Sequence, residues 1–203
     1  SKLQGMSQGK ITKIDYQLRD LPLDIVIDYL KSAHRSFVRH KLPYMADLIA
    51  HIHNAHFDAP GVAEDLKFIF PIFMEDFIHH IYEEEKEHFG YIERLKYAVE
   101  KRFRPDALFE DLSKHSIEKI MAEHAEEDDE MAGIRELTNG YAITPLTNLY
   151  TKVIYSELLA FERDLSVHAY IEDEILFPKA LDLEKKACDL LRTKALMNWS
   201  YCA

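Results

Sequence analysis

Cysteine is nearly missing from this 203-residue chain. Cys188 and Cys202, both near one end, can build neither a disulfide framework nor a cysteine-rich metal site, and they fit a reducing, cytoplasmic setting. Glycine (6) and proline (7) are too few for a disordered or low-complexity chain. No apolar run reaches the roughly 18 residues of a membrane span, and no basic segment leads into an apolar one in the manner of a signal peptide. Positive charge is also short: Lys and Arg total 25 against 36 Asp and Glu, a net charge of -11. That balance repels phosphate backbones and anionic lipid, so neither nucleic acid nor a membrane is an expected partner. A glycine-rich phosphate loop is absent, as is any serine, cysteine or lysine constellation of a nucleophilic enzyme, and whether the protein is an enzyme stays open.

What the chain does have is apolar content, 47% of its residues, arranged in helical stripes. Residues 1–20 are expected to be an extension, with SKLQG as an appended remnant and Met6 as a candidate native start; 21–203 form one domain. A first helix is expected from Pro22 to about Ala50, followed by the loop HIHNAHFDAPG. A second runs from about Val62 to Lys101, with Pro71 a candidate bend. A third spans about Leu112 to Leu137, the connection TNGYAITP follows, and a fourth runs from about Leu146 to Phe177. Pro178 suggests a break before a short extra C-terminal helix. The expected fold is all-α, an up-and-down four-helix bundle.

Polar residues interrupt the apolar stripes at corresponding places. In the fourth helix Ile154, Leu158, Phe161 and Leu165 advance by threes and fours into His168 and Glu172, within RDLSVHAYIEDEILFP. In the second, Phe70, Phe73 and Phe77 lead to His80 and Glu84. Ile117 and Met121 lead to His124 in the third, and Ile27 and Leu30 to His34 in the first. One histidine on an apolar face is ordinarily a hydrogen-bonded core residue; four in phase, with two His-x-x-x-Glu pairs, indicate a metal site. A buried carboxylate without a partner costs several kcal/mol, a penalty that coordination to a cation removes. His34, His80, Glu84, His124, His168 and Glu172 are too many ligands for one tetrahedral zinc, whereas two metals can share the glutamates as bridges. Imidazole with carboxylate suits iron or manganese, and zinc remains open.

DYLKSAHRSFVRHKLP, HHIYEEEKEHFG, AEHAEEDDE and HAYIEDEILFPKAL together resemble the hemerythrin-like superfamily over residues 25 to 181. The resemblance is strongest to its di-iron repair-of-iron-centres proteins, also called regulators of cell morphogenesis and nitric oxide signalling. It implies a hemerythrin-like bundle holding two non-haem irons, bridged by Glu84 and Glu172 and by an oxo or hydroxo group. His80, His124 and His168 complete the set, and the first helix contributes His34, which periodicity favours independently. It further implies nitric oxide and oxygen as small ligands, iron-sulfur proteins as recipients, and a role in stress response or iron-sulfur centre repair. A passive carrier or sensor of oxygen or iron is the alternative. Candidates for the surroundings of the cluster are His56, His88, Glu123 and Asp128. Asp128 stands where oxygen-carrying hemerythrins have a further histidine. After Glu84, His88-Phe89-Gly90 stands in place of the family's Leu-Phe-Pro, which is kept after Glu172, and the family's small cysteine-containing N-terminal domain is not expected in this sequence.

Overall fold

The computed structural model describes residues 18–57, 61–100, 104–126 and 129–200. Among these residues the protein is all-α, with four major helical runs and no strand, as the periodicity predicts. The first run comprises α1 (Leu23–Ser36), π1 (Phe37–Lys41) and α2 (Leu42–Ala50). The second comprises α3 (Val62–Glu83), π2 (Glu84–Phe89) and α4 (Gly90–Glu100). The third is broken into α5 (Pro105–Lys114), α6 (Ile117–Glu126) and α7 (Ala132–Leu137). In the fourth, α8 (Leu149–Ile171) passes through π3 (Glu172–Leu176) into α9 (Phe177–Ser200).

Two expected breaks have other outcomes. Pro71 lies inside α3, which continues through it. Pro178 is the second residue of the C-terminal helix, which follows directly on π3. A proline lacks the N–H that would bond four residues back, and its ring crowds that carbonyl; a widened turn just ahead relieves both. Pro43 stands in the same relation to π1. In each case the first α-helical residue bonds five residues back, Leu42 to the Phe37 carbonyl and Phe177 to that of Glu172. The wider turn in π3 also changes which side chains face inward, so that Ile175, Leu176 and Phe177 are consecutive and all buried.

The chain divides into two compact units. One takes in 30–82 and 129–169, the other 18–29, 83–126 and 170–200, so that α1, α3 and α8 each begin in one unit and end in the other. The first unit's core is built on phenylalanine. Phe73 stacks on Phe77 at 5.7 Å between centroids, Phe161 meets Phe77 edge-on at 5.7 Å, and Phe37 meets Phe161 at 5.5 Å. Around them lie Leu42, Met45, Leu66, Phe70 and Leu158. Helix α7 comes close enough to α3 that a Cβ on Gly133 would stand 3.2 Å from the Ile69 side chain. It ends on Gly140, whose φ of 66° lies in the left-handed region and whose N–H returns to the Arg135 carbonyl at 2.7 Å.

In the second unit α9 packs on α4, α5 and α6 around Tyr91, Ile92, Leu95, Ile117 and Phe177. The break between α5 and α6 is closed from a distance. Glu184 of α9 accepts the Ile117 backbone N–H at 3.1 Å and the Tyr91 hydroxyl at 2.5 Å, so a side chain 67 residues away serves the first turn of α6. Burial and the Glu184 carboxylate both push the Tyr91 hydroxyl well above the ordinary tyrosine range, keeping it a donor. Removing the acceptor with Glu184→Ala takes the partner from the Ile117 N–H and leaves the Tyr91 hydroxyl only the His115 carbonyl at 3.4 Å, and we expect a loss of about 1–3 kcal/mol in urea denaturation. Asp111→Ala, which removes the more exposed Arg94–Asp111 pair, should cost about 0–1 kcal/mol.

Candidate metal centre

The first unit carries His34 on α1 and His168 on α8. Only 1% of His34 and 8% of His168 is exposed. Their Nε2 atoms face each other at 2.9 Å, with ring centroids 4.6 Å apart. Phe37 meets the His168 ring edge-on at 5.9 Å, so the pair stands at the end of the phenylalanine core. As neutral rings of opposite tautomer they satisfy this contact with one N–H···N hydrogen bond; a cation would instead take the Nε2 lone pair of both.

The second unit carries Glu84 at the start of π2, Glu172 at the start of π3, and His124 on α6. Each glutamate is 1% exposed and His124 is 4% exposed. Nε2 of His124 lies 3.2 Å from Glu172 and 3.9 Å from Glu84, and Nδ1 lies 2.9 Å from Asp173. The Phe177 ring meets the imidazole edge-on at 5.3 Å. Burial pulls the imidazole pKa down, but the Asp173 and Glu172 carboxylates outweigh it and the pKa is pushed up to about 10. The ring is therefore a cation between anions, and a metal taking Nε2 has to displace a proton.

Burying two carboxylates and three imidazoles on helices that could have carried leucine there is a cost that metal coordination offsets, and the donor set fits a cation of mixed nitrogen and oxygen preference. His80 is half-buried on α3 with its ring against Phe77 at 6.4 Å. His88, in π2, is also half-buried. Glu123 is exposed on α6 and pairs with Lys119 at 3.2 Å. His56 belongs to the loop of the first unit: its ring stacks on Tyr150 at 4.9 Å, Nδ1 accepts the His53 N–H, and its carbonyl accepts the Thr151 hydroxyl. Asp128 lies outside the described residues. Asp173 went unsuspected in the sequence, where its one signal is adjacency to Glu172.

Fold and side chains define an all-α protein with buried histidine and carboxylate donors suited to metal. Particular relatives are named for iron-sulfur cluster repair. The chain is 25% identical over 185 residues to a probable iron-sulfur cluster repair protein of Haemophilus influenzae, covering 89% of this chain and 75% of that one. It is 24% identical over 168 residues to the iron-sulfur cluster repair protein YtfE of Escherichia coli O81, covering 83% and 70%. A Cronobacter sakazakii protein of that name is 24% identical over 185 residues, covering 91% and 76%. No family model and no solved structure matches. No helix among the described residues is long and apolar enough to cross a membrane.

The raised pKa of His124 sets a direction for the metal-free protein. The group is protonated in the folded state up to about pH 10, whereas a histidine ordinarily loses its proton near 6.5. Its contribution to stability is thus full below pH 6.5 and lost as pH rises through 10. Melting of metal-free protein should fall across that window, and His124→Gln should flatten the fall.

Proposed function

We propose that the protein is a non-haem di-iron-binding protein acting in the nitric oxide and oxidative stress response or in repair of iron-sulfur centres. One observation carries the metal count. The first unit buries His34 and His168, and the second buries Glu84 and Glu172 beside His124, five donors where one tetrahedral ion takes four. Two carboxylates among them supply the bridges that a pair of ions would use. In this reading His34 and His168 serve one ion and His124, joined by His80, the other. His168 with Glu172, and His80 with Glu84, are each one turn apart on an unbroken helical run, which supports ligation from successive turns.

Iron held there supplies redox reactivity toward oxygen and nitric oxide. The chain's own part is to hold the donors on rigid helices, to surround them with Phe37, Phe77 and Phe177, and to keep bulk water from the carboxylates. The likeness to proteins named for iron-sulfur cluster repair supports the cellular role. A cytoplasmic location and iron-sulfur proteins as recipients belong to the same proposal.

Metal analysis of protein purified without added metal, with absorption spectra of oxidised and reduced forms, tests the reading. We expect about two irons per chain and an oxo-bridge spectrum that changes on exposure of the reduced form to nitric oxide or oxygen. One zinc, one manganese or no metal overturns it, and a stable oxygen adduct released intact on deoxygenation favours the carrier alternative. Glu172→Ala should lower occupancy of both metal positions, whereas Glu123→Ala should leave metal content unchanged and stability within about 0.5 kcal/mol. Metal removal should also lower the melting temperature, since binding to the folded form alone stabilises it by mass action; equal melting of loaded and verified metal-free protein contradicts the linkage.

A further inference from the structure

We propose that the exposed face of α1 pairs antiparallel with the same face of a second copy of this chain, about a two-fold axis beside Ser32. α1 (Leu23–Ser36) is one unbroken helix, and Val26, Ile27, Leu30 and His34 are buried along its inner side. The opposite side leaves Ile25 (44%), Asp28, Tyr29 (43%), Ser32 and Arg35 exposed. Charge along that side is ordered by sign. Asp24 and Asp28 stand in the N-terminal half, Arg35 at the end of α1, and Arg39 and His40 in π1 beyond it. At a net charge of -11 two copies repel at a distance, so a contact face between them needs positive charge of its own. The C-terminal half of this face supplies it.

A helix negative toward one end and positive toward the other is complementary to its own antiparallel copy, and in a two-fold contact residue i meets j while j meets i. Asp28 and Arg35 are separated by two helical turns less about 20°, so they stand on the same side of the face. Each lies about 5 Å along the axis from the point midway between Lys31 and Ser32. A two-fold axis at that point sets Asp28 against the partner's Arg35 and Arg35 against the partner's Asp28. Asp24 and Arg39 are centred on the same point and form an outer pair, with Asp24 already held by Lys96 at 3.1 Å. The other side of the face carries Ile25 and Tyr29 in its N-terminal half and Ser36 in its C-terminal half, with Ser32 between. Large side chains of one copy thus meet small ones of the other, and Ser32 at the crossing allows the backbones the roughly 8–10 Å separation of packed helices. One helix from each side is a small contact, of the size at which association is reversible and concentration-dependent.

Sedimentation equilibrium of the full chain over a wide range of concentration provides the test. Asp28→Arg, Arg35→Asp, the two together, and Ser32→Arg are compared with the unaltered protein. We expect a reversible monomer–dimer equilibrium in the unaltered protein. Each single reversal sets like charges together at two symmetry-related places and should weaken the dimer by about tenfold or more. Restored opposite signs should bring pairing back to within a few-fold, either in the chain that carries both reversals or in a mixture of the two single variants, which should form a mixed dimer that neither forms alone. Ser32→Arg, which puts a long side chain at the crossing, should leave a monomer. Circular dichroism verifies that each variant is folded, as expected at exposed positions. A monomer at every concentration of the unaltered protein overturns the inference. So does a dimer that the single reversals leave unchanged, or one whose loss neither the double exchange nor mixing repairs. Should a charge reversal fail to fold, Ser32→Arg decides: an unchanged dimer overturns the inference, and a folded monomer supports it.

Discussion

Two carboxylates buried to 1% exposure set the terms for the rest of this protein. An ionised carboxylate withdrawn from water costs several kcal/mol even after relaxation, and the penalty is lifted only where opposite charge and hydrogen-bond donors converge. Imidazole nitrogens supply both, provided that something fixes where their protons go. The first unit places an imidazole pair against a phenylalanine core, and the second encloses one imidazole with Glu84, Glu172 and Asp173. Without a metal, the second arrangement is balanced by protonating His124; with one, by coordination.

The π segments belong to the same logic. Glu84 and Glu172 each open one, and each is followed by a phenylalanine five residues on and by a residue of unusual backbone character six residues on, Gly90 or Pro178. Single π turns inside α-helices recur at functional sites because they redirect a side chain without ending the element. Here the redirection turns a carboxylate inward and then continues burial with Phe89 or Phe177. The two runs reach this geometry by different local means, since proline forces the issue in one and glycine merely permits it in the other.

Much of this was readable from residue order. Stripes of apolar residues at spacings of three and four locate all four helical runs, and the same phase singles out His34, Glu84, His124, His168 and Glu172, which the structure buries. What escaped depends on meetings between elements. Asp173 is off the stripe, so periodicity assigns it to solvent; only the approach of α6 to π3 gives it a partner. The third run was expected as one helix from about Leu112 to Leu137 and is three, because the chain leaves helical geometry at His115 and re-enters at Ile117, where the carboxylate that receives the first N–H comes from Glu184. A capping residue 67 positions away leaves no mark in a local window. Pro71, Pro43 and Pro178 show the converse limit: the same residue type signals a break, a widened turn or nothing, according to how the surrounding helix adjusts.

The Glu184 contact bears on the order in which a nascent chain can finish its structure. Ribosomes deliver Ile117 well before Glu184, so the start of α6 emerges with its N–H facing solvent and acquires its native acceptor only when α9 has been made and has folded back. The apolar faces of α4 and α5 that α9 covers wait for the same event. His124 therefore sits on the portion of the second unit that is completed late, whereas His34 lies on α1, which is translated before it. Biosynthesis of the two donors is separated in time even though both are buried in the finished molecule.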